Sequence, residues 1–369
     1  VGHQSGKSFA GNSNGNTAVG TFALQSAAEN DRNVAVGYGA LGSADDGEDG
    51  NVAIGYSAMG SANNAANDYN VIIGYEAGTG GNGGAMSYNV AIGNLALNST
   101  DTATVNEIVA IGREACTAVT SGDANGTVAV GSFALGMLTS GQYNTAVGWA
   151  SLYNGNDVGN GNTAVGYQAL YNFNPSSDGD GNNTALGQGA GVTVTTGVHN
   201  TFIGALCDSE GTNTNRAIGL GQNITAVQDY FTVGNATDDI RNSHGSTTWA
   251  TVSDKRFKKN IETSTAGLSF IEDLRPVTYN WKTKGEIPNW SKAYQEGSEE
   301  QYRNSKHNHG FIAQEVKEAI DNHAEIKDGF DMWYELEGSG SQQEVGETAL
   351  IPILVKAVQE LSSEIKNIK

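Results

Sequence analysis

Through the first 235 residues the apolar and polar positions repeat one figure: asparagine, a β-branched residue, alanine, a second β-branched residue, then glycine. Asn16-Thr17-Ala18-Val19-Gly20 is followed by Asn33-Val34-Ala35-Val36-Gly37 and Asn51-Val52-Ala53-Ile54-Gly55. Further copies end at Gly74, Gly93, Gly112, Gly131, Gly148, Gly166, Gly187, Gly204 and Gly219, with a degenerate one at Gly234. Successive glycines lie 17, 18, 19, 19, 19, 19, 17, 18, 21, 17, 15 and 15 residues apart, a period that marks a repeat architecture. A second signature, x-x-Ala-Leu, follows most of them, as in Ala23-Leu24, Ala40-Leu41, Ala134-Leu135 and Ala169-Leu170.

Each unit predicts a short strand, a glycine corner, a second short strand and a polar loop. Residues two apart on a strand share a face, so Val34 lies with Val36, Val52 with Ile54 and Val90 with Ile92. The intervening alanine takes the other side, which the spacing predicts as the contact surface between chains packed side by side. Asparagine precedes the strand in ten of the thirteen units, and stacked asparagines can form a hydrogen-bonded ladder. Glycine suits corners that require positive φ or close backbone approach. Insertions such as Asp45-Asp46-Gly47-Glu48-Asp49 and Gly80-Gly81-Asn82-Gly83-Gly84 fall at one phase of the repeat, as in a solenoid. The expected fold is mainly β, a β-solenoid or β-roll. One coil buries few large side chains, at roughly 25 cal/mol per Å² of apolar area. A lone column is therefore marginal against its chain entropy, and several chains side by side are expected.

After Gly234 the pattern changes. The expected organisation is a repeat shaft at 1–235, a stalk at 236–252 and a small α+β domain at 253–369. Gly267 to Leu274 has helical apolar spacing and stops at Arg275-Pro276. Val277 to Trp281 alternates like a strand, and a charged loop runs from Lys282 to Asn308. His309 to Ile320 reads as a strand running into a helix, and Met332 to Leu336 as another strand. The terminal helix carries Leu354, Val358, Leu361, Ile365 and Ile368 at spacings of 4, 3, 4 and 3. That is an a/d seam between copies, or an amphipathic helix lying on its own domain.

Composition sharpens this division. The chain has 369 residues, 50 glycines, 4 prolines and a formal charge of −20. Residues 1–250 hold 42 glycines, 5 basic and 20 acidic side chains; residues 251–369 hold 8, 15 and 20. Such acidity argues against a nucleic-acid partner, because phosphates are repelled. No apolar run is long enough to cross a bilayer and no leader opens the chain, so neither membrane insertion nor a signal peptide is expected. Val1 in place of Met suggests a fragment or a processed piece. Cys116 and Cys207 cannot make a disulfide framework and read as small apolar residues. Asp178-Gly179-Asp180-Gly181-Asn182 has calcium-loop spacing but lacks the distant bidentate Glu, so a solvated turn is the plainer interpretation. Gly187-Gln188-Gly189-Ala190-Gly191 imitates a phosphate loop only because it is the repeat corner. No metal site and no cofactor are expected.

The unit Asn-x-Ala-(Val/Ile)-Gly-x-x-Ala resembles the head repeat of YadA-like trimeric adhesins. It is still closer to the NTAVGYQAL repeats of phage tail-fibre proteins, which Asn162 to Leu170 matches residue for residue. The resemblance covers about residues 12–235 and implies a left-handed parallel β-roll that trimerises. Units here are longer than the adhesin head repeat.

The second part resembles the peptidase S74 domain, the intramolecular chaperone at the end of phage tail spikes and fibres. Ser253-Asp254-Lys255-Arg256-Phe257-Lys258-Lys259-Asn260-Ile261 matches its opening motif at every fixed position, and Gly310 to Val316 matches its GFIAQEV motif. This resemblance implies one self-cleavage between Val252 and Ser253, with Ser253 as nucleophile and Lys258 as general base. Asp254, Arg256, Asn260 and His309 would support the site, although an isolated histidine beside a strand is more often structural. A lysine serves as base only when burial or neighbouring cations lower its pKa, and Lys255, Arg256 and Lys259 are such cations. A spacing of five puts Ser253 and Lys258 on neither one strand face nor one helix face, so folding must bring them together. The implied protein is a homotrimeric virion component that binds a host cell-surface receptor, a glycan or an outer-surface protein. A trimeric adhesin of the bacterial cell surface is the alternative. A polysaccharide-degrading spike needs paired carboxylates flanking a groove, and the acidic residues here are scattered.

Overall fold

The computed structural model describes every residue except 10–12, 28, 45–46, 81–83, 101–102, 121–123, 156–158, 176–180, 252, 328–329, 337–341 and 369. It divides into two compact units, Val1–Val252 and Ser253–Lys369. The first is a β-solenoid. Eleven three-residue strands, from Thr17–Val19 to Thr201–Ile203, stack in parallel, one per coil, in a single sheet. Ile218–Gln222 and Tyr230–Asn235 continue it, and Asp238–Ser243 closes it antiparallel to Tyr230–Asn235. Ala35 sits opposite Ala18 and Ala53, so the repeat is in register.

Several sets of bonds join successive coils, and three of them follow the signatures of the repeat. Strand backbones pair, as when the Val34 N–H donates to Asn51 O at 2.8 Å. The asparagines form the expected ladder: Asn70 donates both its backbone N–H and its Nδ2 to Asn51 Oδ1 at 3.0 Å, and Asn89 repeats this on Asn70. These amides are fully buried, where a polar group needs a partner. The ladder pauses at Ile108 and Thr127, resumes at Asn144, and ends where Asn200 Oδ1 accepts the Ala217 N–H. Asn215, one of the ten asparagines counted from sequence, lies off the ladder, because Ala217 takes its place.

The third set overturns an expectation. The x-x-Ala-Leu segment is a turn, not a second strand. Leu24, Leu41 and Leu135 adopt φ of 46°, 47° and 48°, which costs a side-chain-bearing residue about 1–2 kcal/mol. In return the leucine side chain enters the core, and its N–H reaches the next coil, as from Leu41 to Ala58 O at 3.0 Å.

The alanine face is also corrected. Ala35, Ala53, Ala91 and Ala110 point into the coil and are fully buried, while their β-branched neighbours form the outer face. The leucines occupy the same interior, so the strand opposite has room for little more than a methyl group. Two exceptions support this. Where the strand carries Ile72, the turn position carries Gly78, and a Cβ there would meet Ile72 Cγ2 at 3.0 Å. Where it carries Phe202, the ring reaches the turn of the preceding coil, and a Cβ on Gly191 there would lie 2.7 Å from it. Cys116 fills a leucine position, and burial pushes its thiol up to about 12. Burial likewise pushes Cys207 up to about 11.

At the corner, Gly55 has φ 139° and a Cβ would overlap Gly74 O. The corner column includes Gly2, which lies ahead of the first repeat recognised in sequence, and near its end it passes through Gly221 rather than Gly219. Gly219 instead occupies the interior alanine position, where a Cβ would meet Cys207 Sγ at 2.6 Å. The segment 236–252, expected as a stalk, adds the antiparallel strand Asp238–Ser243 and an Arg241–Ala250 bridge to the sheet. Asp178 and Asp180 of the calcium-like turn lie outside the described residues.

The second unit packs three helices, α1 (Leu268–Asp273), α2 (Ala313–Asn322) and α3 (Leu350–Ile368), around Phe270, Val316, Ile320, Met332 and Ile353. Two antiparallel pairs accompany them: Val277–Tyr279 with Asn308–Gly310, and Trp333–Leu336 with Gln342–Val345. The polar strand Gln342–Val345 has no apolar alternation and was not expected from sequence.

Replacing Gly78 by Leu should lower the urea midpoint by overpacking, a loss of about 1–3 kcal/mol. Adding Ile72→Ala should recover part of that loss, because the turn tolerates leucine elsewhere. A double variant as unstable as the two single losses summed would refute the volume exchange.

Candidate functional site

Ser253 opens the second unit, and a single tight turn shapes the residues after it. Asp254 caps the 3-10 turn Lys255–Phe257, its Oδ1 accepting the Arg256 N–H at 2.8 Å. The Arg256 guanidinium returns to the same carboxylate at 2.6 Å and holds Asp254 below the usual carboxylate range. Lys258 leaves the turn extended, and its N–H closes on Lys255 O at 3.1 Å. The chain is thereby folded back, and Lys258 Nζ donates to Ser253 Oγ at 2.8 Å. A spacing of five, awkward on any regular element, is what one 3-10 turn between extended ends bridges. Asn260 then turns the backbone with φ 55°. Val252 lies outside the described residues.

The pair is solvent-exposed, as are Asp254 and Arg256. For Lys258 to act as a base toward Ser253, the proton would have to run from Oγ to Nζ, the reverse of their hydrogen bond. His309 is elsewhere: it sits exposed on the strand Asn308–Gly310, opposite Thr278, with the His307 ring 6.5 Å away. It lines a cavity of about 350 Å³ with Pro276, Thr278 and Glu347. Among the described residues no hydrogen bond or ring contact joins it to Ser253 or Lys258.

α3 presents two apolar faces. Leu350, Ile353 and Ala357 pack into the domain. Leu354, Val358, Leu361, Ile365 and Ile368, the expected seam, remain 44%, 64%, 41%, 57% and 85% exposed. The helix is anchored by Glu360, which accepts the Leu268 N–H at 2.7 Å and so caps α1, whose Gly267 has no capping side chain. That bond and the neighbouring Lys356 hold the Glu360 carboxyl below its usual range. Nothing in sequence connects residues 92 apart.

Sequence reasoning also passed over His323, the C-cap of α2. Its Nε2 meets Asp273 Oδ2 of α1 at 2.9 Å, its Nδ1 meets Glu325 Oε1 at 3.1 Å, and Phe270 packs edge-on against the ring. Both nitrogens therefore act as donors only when the ring is protonated. The Asp273 bond, opposed by burial and reinforced by Glu325, raises its pKa. Glu325 is held below its usual range, first by its own backbone N–H and then by His323.

Among the described residues no group of three or more His, Cys, Asp or Glu side chains is placed to hold a metal ion, and no helix is long and apolar enough to cross a membrane.

Residues 253–325 match the Peptidase_S74 family model, described as chaperone of endosialidase. No curated protein and no solved structure matches the chain. A chaperone-of-endosialidase domain following a β-solenoid of stacked coils fits a tail-fibre or tail-spike protein with a C-terminal chaperone.

The His323 contribution has a defined pH window. A raised folded pKa means the stabilisation is complete below about 6.5 and is lost as pH rises through the folded value. The depressed Glu325 contributes above about 4.3 and fades as pH falls through its folded value. Unfolding of the second unit, followed by hydrogen exchange from pH 5 to 9, should show stability falling across neutrality. His323→Gln should flatten that fall; an unchanged profile would refute a contribution from the His323–Asp273 contact.

Proposed function

We propose that the chain is a homotrimeric component of a phage tail fibre or tail spike that attaches to a host cell-surface receptor. Its second unit helps three copies assemble and then leaves by cleavage between Val252 and Ser253. The observation that carries this is the 2.8 Å contact of Lys258 with Ser253, at the first residue of the second compact unit and of the matched family span.

In the proposed step Ser253 Oγ adds to the Val252 carbonyl carbon while neutral Lys258 takes the hydroxyl proton. The C–N bond then breaks, the proton passes to the departing Ser253 nitrogen, and an ester joins Val252 to Ser253 Oγ. Water hydrolyses the ester, leaving a Val252 carboxylate and a free Ser253 amine. Burial disfavours the charged form of a lysine, so a covered pair suits this sequence better than an exposed one. Assembly is the event that would cover it, so cleavage comes after trimer formation.

Two surfaces suit the trimer. The first and third positions of all eleven short strands are Val, Ile, Leu or Thr, in a region holding 20 acidic side chains. Parallel sheets are normally covered on both faces, and a second copy offers the same coil repeat along the full length. The second surface is the exposed stripe of α3, which the a/d spacing suits to a short coiled coil.

Wild-type chain should split at 252/253 on denaturing gels, while Ser253→Ala and Lys258→Ala remain full length. Intact wild type after assembly would defeat the cleavage step without touching the chaperone role. Sedimentation should give a trimer for wild type and smaller species for Leu361→Asp with Ile365→Asp. A monomeric wild type would overturn the assembly.

A further inference from the structure

The second unit contains a cleft of about 690 Å³ away from the Ser253–Lys258 pair, and the loop from Lys282 to Asn308 builds one side of it. A Thr283–Gln301 bridge, the Lys284 N–H on Glu300 O at 2.7 Å and the Lys284–Glu300 ion pair close that loop. The volume lies in the range of small-ligand sites. Its walls are aromatic. Trp281 packs edge-on with Tyr279 and Tyr302, at 5.3 and 5.7 Å. Trp290 lines the same cleft, is 49% exposed and, among the described residues, has no aromatic neighbour.

The polar groups facing this space are mixed, and Gln342, whose Nε2 donates to Glu344 Oε1 at 3.0 Å, leaves an oxygen to accept. Arg303 lies over the Trp281 ring at 4.9 Å and over Tyr302 at 5.6 Å, so its planar fork is held in place. Neither Arg303 nor Lys282 forms an ion pair among the described residues. Gln343 spends its oxygen on the Trp333 N–H, and Asn280 spends its own on His307, which leaves both NH₂ groups available. Glu344 and Glu347 also line the wall and can accept hydroxyl hydrogens.

An exposed indole face, a pre-set guanidinium and amide donors select a ligand with a flat apolar face, hydroxyls and one anionic oxygen pair. We propose that the cleft binds a short glycan containing a carboxylated sugar, with Trp290 stacked on a sugar ring and Arg303 holding the carboxylate bidentately. A nucleotide offers similar chemistry and is the competing outcome of the test. The proposal does not depend on self-cleavage or on the trimer.

Calorimetry on the full-length chain carrying Ser253→Ala tests it with three probes: a hexuronic-acid trisaccharide, the same trisaccharide with its carboxylates reduced to alcohols, and a nucleoside monophosphate. The acidic trisaccharide should bind, and reduction should weaken it about tenfold or more. Trp290→Ala and Arg303→Gln should each weaken it by a similar factor, with thermal unfolding unchanged; Trp149→Ala, in the solenoid, should have no effect. Absence of binding at millimolar acidic trisaccharide would overturn the proposal. So would binding indifferent to both cleft variants, or tighter binding of the nucleotide.

Discussion

The solenoid depends on backbone groups of one coil bonding to those of the next, at the strand, the asparagine and the leucine turn alike. Strand partners in such a stack stand about 4.8 Å apart. At that spacing the corner of one coil touches the corner of the next, which is why a Cβ at Gly55 would collide with Gly74 O. The same spacing stacks exposed rings: Tyr38, Tyr56 and Tyr75 lie with centroids 5.3 and 5.2 Å apart and nearly parallel. Glycine, asparagine and tyrosine columns are three answers to one axial distance.

Because the coils are so close, the interior is thin, and each layer has a nearly constant volume to divide. Alanine on the strand and leucine on the turn is the common division. Ile72 with Gly78 is exchanged within one coil, and Phe202 with Gly191 across two successive coils. Buried asparagine amides such as that of Asn89, which bonds to the coils on either side, replace part of the large apolar core that the composition cannot supply. The outer face of the eleven three-residue strands is then free of charge.

Periodicity made the coils, the asparagine ladder and the glycine corners legible from sequence, since each is a local residue requirement repeated at one phase. The sidedness was not legible, because alternation says that Val34 and Val36 oppose Ala35 without saying which side is inside. The leucine turn reads as a strand in sequence because left-handed backbone at a non-glycine residue is disfavoured locally and is compensated only by the neighbouring coil. Gly219 passes for a corner because its Ala-Ile-Gly context imitates one two residues early. At the candidate site the residue types were legible as a motif, and the 3-10 turn that joins Ser253 to Lys258 was not. The contacts of His323 with Asp273, and of Glu360 with Leu268, join positions distant in sequence and left no signal there.

The exposed setting of Ser253 and Lys258 and the exposed stripe of α3 bear on the same question. Lys258 Nζ and Ser253 Oγ stand 2.8 Å apart in an exposed turn. An apolar helix face in water carries an unfavourable hydration cost until something covers it. On the proposed function both are relieved by association: burial of α3 drives the copies together, and desolvation of the dyad turns a donor into an acceptor. On that reading the 2.8 Å contact already supplies proximity, and covering the pair would supply the rest. A single chain would hold the geometry of the reaction without its chemistry, so a chaperone could not be lost before its work was done.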